Sequence, residues 1–255
     1  ATPVLADVKR STWTTGLEEI KKKFTKKTKA IMLVHVYGQP CEINEIKKFA
    51  RKKNVYLIED CAEALGSKYK KRLVGLDGDC SCHSFFANKT ITTGEGGMVV
   101  FKKKSHAKKA SIVKNHGMSI FKRYLHEEVG SNYKMTNVQA ALGVAQLSKI
   151  KKLISHRKKI FKFYDKHLLN DNLEKLPNNT WSENSYWYYA IIIKKKINRS
   201  LLIKNLTNKG IEVRPTFFPL SLMKPFSKYS KGSYKHSLYL GLNGICLPSS
   251  GLKKA

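Results

Sequence analysis

Two residues of this chain are set where an amine and a carboxylate can cooperate. Lys89 lies in the run Ser84-Phe85-Phe86-Ala87-Asn88-Lys89-Thr90-Ile91-Thr92-Thr93-Gly94-Glu95-Gly96-Gly97. It is one lysine among many, but the only one flanked by small and hydroxyl-bearing residues and then a turn with three glycines. Asp60 closes an apolar run that begins at Val55. A lysine that forms a Schiff base, with a carboxylate that holds a pyridinium nitrogen, is the minimum equipment for pyridoxal phosphate chemistry. At its ordinary pKa of ~10.4 a lysine is a poor nucleophile near neutral pH, so its loop must desolvate it or place a positive group beside it. Each signal is weak alone. Gly94-Glu95-Gly96-Gly97 suits any tight turn. An Asp after a strand more often caps a helix or binds a metal, and Glu59-Asp60 offers a metal pair as the alternative. His35 and His116 read as structural. Arg214, followed by Pro215, reads either as a clamp for an acidic group or as a surface pair.

The elements that must position these residues follow from hydrophobic spacing. Ala30 to Val36 is a continuous apolar run, the pattern of a strand buried on both faces. Gly38-Gln39-Pro40 breaks it. Glu42 to Lys53 reads as a helix, with Ile43, Ile46 and Phe49-Ala50 on one face and lysines opposite. Val55 to Ile58 is the next strand, which completes a βαβ unit and implies a parallel sheet. In such sheets ligands collect past the carboxyl ends of the strands, where Asp60 sits. His83 to Phe86 and Met98 to Phe101 read as strands joined by the Lys89 loop. Lys134 to Lys149 has helical spacing, with Thr136 or Asn137 as its cap, and lysine-rich helix continues to about Leu168. Further on, Tyr186 to Ile193 reads as a strand, Leu201 to Lys209 as a helix ended by Gly210, and Ile211 to Val213 as a strand. Trp187-Tyr188-Tyr189 is assigned to the core. The division is into residues 1–150, a large α/β domain, and 151–255, a smaller α+β domain.

The 255 residues, 42% hydrophobic, suffice for a sizeable core. The net charge is +31. Taken alone, that suggests a nucleic-acid-binding protein. However, lysine outnumbers arginine sixfold, and the lysines are spread in short runs with no aromatic-interleaved basic stripe. The charge therefore reads as solvent decoration, and no nucleic-acid partner is expected. Five cysteines, Cys41, Cys61, Cys80, Cys82 and Cys246, form no zinc spacing and read as reduced thiols of a cytoplasmic enzyme. No apolar run approaches the ~18 residues of a membrane span.

The ordered motifs carry a family likeness. Ile58-Glu59-Asp60-Cys61-Ala62-Glu63-Ala64-Leu65-Gly66, the Ser84–Val100 run and Val34-His35-Val36-Tyr37-Gly38-Gln39-Pro40 resemble the DegT/DnrJ/EryC1/StrS nucleotide-sugar aminotransferases, which are fold-type I pyridoxal phosphate enzymes. So do Asn115-His116-Gly117, Gly130 to Asn137, Val213 to Pro219 and Ile245 to Ser249. Within the group, Thr90 to Met98, Asn132 to Asn137 and Arg214 to Leu220 look most like the perosamine synthases, which aminate C4 of a GDP-linked 4-keto-6-deoxy sugar. The likeness implies a mostly parallel, truncated sheet and pyridoxal 5'-phosphate as cofactor. It implies that Lys89 carries the cofactor and shuttles the proton, that Asp60 pairs with the pyridine nitrogen, and that Glu63 stands near the ring oxygen. Ser84 is similar to a phosphate contact. Asn132 is similar to an asparagine that reaches the phosphate of a neighbouring subunit, so a homodimer with a shared site is implied. The expected substrates are a nucleotide sugar and an amino acid, with glutamate as donor, in O-antigen or other polysaccharide synthesis. Retention of Lys89 and Asp60 argues against a non-catalytic relative. Members of the family carry a preceding phosphate loop and a ring-stacking aromatic, which are absent here. The chain is therefore expected to be a fragment. His83 occupies a place more often apolar.

Overall fold

In the computed structural model, which describes residues 1–194 and 197–249, the chain builds two four-stranded sheets. In the first, the strands Ala30–Val34, Tyr56–Asp60 and Cys80–Ser84 run parallel, and Gly97–Phe101 closes the edge antiparallel to Cys80–Ser84. The sheet is thus mostly parallel, as its βαβ origin requires.

The helices Leu17–Lys23 and Ile43–Lys52 cover one face of this sheet. Ile20, Ile43, Ile46 and Ala50 pack there on Ile31, Leu33 and Leu57. The opposite face is largely open, with Met32 58% and Tyr56 50% exposed. The run from Ala30 to Val36 is therefore not a strand buried on both faces. The strand stops at Val34 and its burial alternates, because helices pack on one side only. Past Val34 the chain turns through Tyr37 and Gly38, both at positive φ (54° and 84°).

The second sheet is antiparallel, in the order Arg214–Pro215, Gly244–Leu247, Tyr189–Ile193, Leu173–Lys175. All five residues of its Tyr189–Ile193 strand are buried. One flank packs on Phe161 of the long helix Ile150–His167, the other on Leu240 of the helix Lys235–Asn243.

Several expected boundaries move. The strand expected at 186–193 begins only at Tyr189, because Tyr186 turns the chain at φ 60°. Residues 211–213 do not pair. The pairing falls on Arg214–Pro215, at a sheet edge, where proline's missing N–H costs nothing. The strand read at 83–86 is Cys80–Ser84, because the chain turns into the lysine loop after Ser84. Thr136, not Asn137, caps the helix Asn137–Leu147, in a capping box with Gln139.

The N-terminal segment ties the two sheets together. Asp7 accepts from the backbone N–H groups of His236 (3.0 Å) and Ser237 (2.8 Å), and Arg10 pairs with Glu174 at 2.6 Å. Ser182–Glu183 pairs with Lys68–Tyr69 in a small three-stranded sheet. Among the described residues no helix is long and apolar enough to cross a membrane.

Candidate active site

The Lys89 loop is closed by its own hydroxyls. After the strand Cys80–Ser84, the Phe85 N–H donates to the Gly96 carbonyl (2.9 Å) and the Thr93 N–H to the Phe85 carbonyl (2.9 Å). Thr92 Oγ1 donates to the Phe85 carbonyl (3.1 Å), and Thr93 Oγ1 to the Glu95 carbonyl (2.7 Å). The glycine turn is needed at Gly97, where a Cβ would stand 2.7 Å from the His83 carbonyl oxygen.

The loop presents Lys89 half-buried, its Nζ 3.9 Å from the centroid of the Trp187 ring. Burial pushes the Lys89 amine below its ordinary value and outweighs the opposing pull of the Glu63 and Asp60 carboxylates. The structure thus brings Lys89, Asp60 and Glu63 into one electrostatic neighbourhood.

Asp60 stands at the C-terminal end of its strand, where Oδ1 accepts from the Ala62 N–H at 3.0 Å. Glu63, on the following turn, accepts from the Tyr37 N–H at 2.7 Å. Burial raises the Glu63 carboxyl to about 7, against the Tyr37 hydrogen bond and the Lys89 charge. Ser84 ends the neighbouring strand, where Cys82 lies opposite Asp60, and its Oγ accepts from the Phe86 N–H at 3.3 Å. Asp60 and Ser84 thus stand at the carboxyl ends of neighbouring parallel strands, with Glu63 on the turn after Asp60 and Lys89 in the loop after Ser84.

Two expected residues do not join them in this chain. Asn132 is exposed, bridges to Asn115, and lines a cavity of about 840 Å³ with His83, Gly97 and Lys134. Arg214 is exposed, and its guanidinium pairs with Glu212 at 2.6 and 3.1 Å. The surface-pair alternative is therefore the one the structure realises for Arg214.

The Glu59–Asp60 metal pair is not formed either. Successive strand residues point to opposite faces. Glu59, fully buried, accepts from the backbone N–H groups of Gly75 (2.8 Å), Asp77 (2.8 Å) and Gly78 (2.5 Å) and lies 3.2 Å from His35 Nε2. Burial alone would raise it, but these hydrogen bonds outweigh that and hold Glu59 at about 2. His35 accepts from the Cys41 N–H at Nδ1 (3.0 Å), and its backbone N–H donates to the Asp60 carbonyl (3.1 Å). The pair is a structural brace beneath Asp60. His83 Nδ1 is buried with no partner among the described residues, and burial lowers the His83 pKa.

The sequence reading quotes Tyr37 and Phe217 within its motifs but gives neither a part in the site. Tyr37 feeds Glu63 its N–H, its phenol accepts from the Phe217 N–H (2.8 Å), and its ring stacks on Phe217 at 5.2 Å. Its sequence signals are the Val34–Pro40 motif and the glycine that follows it. Trp187 is buried as read, but it also faces Lys89.

The sequence profile of the DegT/DnrJ/EryC1/StrS aminotransferase family matches residues 1–252. GDP-perosamine synthase of Escherichia coli O157:H7 is 42% identical over 250 residues, which are 98% of this chain and 68% of that protein. GDP-perosamine synthase of Vibrio cholerae is 39% identical over 252 residues, 98% of this chain and 69% of that protein. Among solved structures, Helicobacter pylori PseC, an aminotransferase involved in the biosynthesis of pseudoaminic acid, superposes with a TM-score of 0.91 at 27% identity. The match covers 97% of this chain and 68% of that one.

Proposed function

Because this chain belongs to the DegT/DnrJ/EryC1/StrS family and is a nucleotide-sugar aminotransferase, we propose that it aminates C4 of a GDP-linked 4-keto-6-deoxy sugar, with glutamate as amino donor. The observation that carries the reading is the single neighbourhood of Lys89, Asp60 and Glu63, with the Lys89 amine lowered by burial. The family is pyridoxal phosphate-dependent, and the donor set here fits that cofactor: a desolvated primary amine, a carboxylate at a strand end and a hydroxyl on the next strand.

Lys89 would hold the cofactor through its amine, Asp60 its ring nitrogen, Glu63 its ring oxygen and Ser84 its phosphate. The cofactor, when bound, supplies an electron sink that stabilises charge at the carbon exchanging its proton. Lys89, whose amine burial pushes below its ordinary value, can take and return that proton at Nζ. Glu63, at about 7, can exchange a proton with its surroundings in the same range.

The active unit is a homodimer in which Asn132 reaches the partner's cofactor phosphate. Support comes from the stretch around it. The helix Asn137–Leu147 buries none of its residues, and Phe121, Val129 and Tyr133 are exposed. Arg214 would exchange Glu212 for an acidic group of the substrate. The enzyme would act in the cytoplasm on a sugar destined for O-antigen or another polysaccharide. A nucleic-acid role has only the +31 charge behind it and is not favoured.

Borohydride reduction in the presence of pyridoxal phosphate, followed by peptide mapping, tests the site. The label is expected on Lys89, and a reproducible label on another lysine overturns the assignment. Incubation with glutamate and the GDP-linked keto sugar should yield the 4-amino sugar, and unchanged keto sugar sinks the substrate reading.

A further inference from the structure

A buried arginine with no acid beside it needs an explanation, because an unpaired buried charge is costly. Arg157, on the helix Ile150–His167, is 8% exposed and makes no ion pair among the described residues. Its partners are carbonyl oxygens. Nη1 donates to the Trp187 carbonyl at 2.8 Å, and Nη2 reaches the Lys89 carbonyl at 3.5 Å, the outer limit of a hydrogen bond.

Trp187 completes the arrangement from the other side. Its Nε1–H donates to the Asn88 carbonyl at 2.9 Å, and its ring face lies 3.9 Å from Lys89 Nζ. Ser249 Oγ donates to the same Trp187 carbonyl that Arg157 holds. Phe217 lies nearly parallel to the Trp187 ring, 6.2 Å away at 19°. A tryptophan kept only for packing would need one partner for its indole N–H. Here ring face and N–H both serve two adjacent residues of one loop, and the backbone is anchored twice. Tyr186, at φ 60°, turns the chain into this position before the strand begins at Tyr189.

We propose that Trp187 and Arg157 are positioning residues for Lys89, the indole fixing the Asn88–Lys89 backbone and covering the amine, and the guanidinium holding the indole in place. The inference rests on the reading of Lys89 as the reacting amine. Neither residue need touch the sugar. Their effect passes through the height and direction of the Lys89 side chain, where a displacement of about 1 Å can cost about 10²-fold in rate. The carboxylates of Glu63 and Asp60 face the same amine and stay in place when the indole is changed.

The test uses the whole chain without cofactor. Lys89 is acetylated with a small anhydride across a pH series, each site is read by peptide mass spectrometry, and a blocked free lysine peptide serves as reference. In the parent protein the labelling midpoint of Lys89 should lie below that of the peptide. In Trp187→Leu and Arg157→Met it should rise to meet the peptide. With cofactor and substrates, Trp187→Leu should lose about 10²-fold in kcat, while KM for the keto sugar stays as in the parent. Trp187→Phe keeps a ring face and loses one hydrogen bond, so about fivefold in kcat is expected. If Trp187→Leu does not fold, Trp187→Phe and Arg157→Lys decide. Parent-like midpoints and parent-like kcat in both overturn the proposal. A borohydride label away from Lys89 would instead refute Lys89 as the reacting amine, while the cofactor-free midpoints still report whether the indole and guanidinium hold it.

Discussion

The two sheets do different work. The first is covered by helices on one face only, its strands Ala30–Val34 and Tyr56–Asp60 alternate in burial, and its carboxyl ends carry Asp60 and Ser84 with the Lys89 loop beside them. The second is wrapped on both faces, its Tyr189–Ile193 strand is wholly buried, and the chain leading into it ends in Trp187 against Lys89. The candidate site residues collect at the rim of the half-covered sheet, where side chains can be partly desolvated and still reached. The fully covered sheet supplies a fixed surface against which that rim is set.

Substitutions can break this comparison. The largest effect is expected at the rim. Asp60→Asn is nearly isosteric, so the urea midpoint should stay near that of the parent, while turnover falls by about 10²- to 10³-fold. Parent-like turnover would show that Asp60 has no electrostatic part in the reaction.

At the centre of the second sheet the reverse is expected. Ile192→Ala opens a cavity beside Trp187 and Leu240 and should cost about 2–5 kcal/mol in urea unfolding. A loss below about 1 kcal/mol would mean that the second sheet is not the rigid partner described.

Glu59 lies between these extremes, as a brace beneath the rim. Its carboxyl is held at about 2, below the usual carboxylate range. A depressed carboxylate stabilises the fold above its unfolded value of ~4.3, and that stability is lost as pH falls toward about 2. The unfolding free energy should therefore drop by about 3 kcal/mol between pH 5 and pH 2 through this group, and Glu59→Gln should flatten that part of the profile. An unchanged slope in the variant would refute the brace.

The smallest effect belongs to the open face. Met32→Ser should change stability by no more than about 0.5 kcal/mol, since Met32 is 58% exposed. A loss above about 1.5 kcal/mol in dilute solution would show that this face is covered there, and the contrast between the sheets would narrow.

The candidate residues at the rim could be picked out because they sit in short local patterns. Lys89 stands in its glycine-ended loop, and Asp60 with Glu63 closes a strand and opens a turn. The brace was half legible: His35 read as structural, but Glu59 was offered to a metal because nothing local reveals that residues 75–78 aim their N–H groups at it. Ala30 to Val36 looked like a doubly buried strand because hydropathy cannot say how many faces a neighbour covers. Arg157 and Trp187 were out of reach for another reason. Their partners in the lysine loop lie 68 and 99 residues away in sequence, and no window of local spacing spans that distance.

That separation also sets an order in time. A chain made at about 5–20 residues per second needs roughly 5–20 s to pass from Asn88 to Trp187. During that interval the first sheet can form while its lysine loop still lacks the indole that covers it. Lys89 thus acquires its final surroundings late in synthesis, after its own loop has been made.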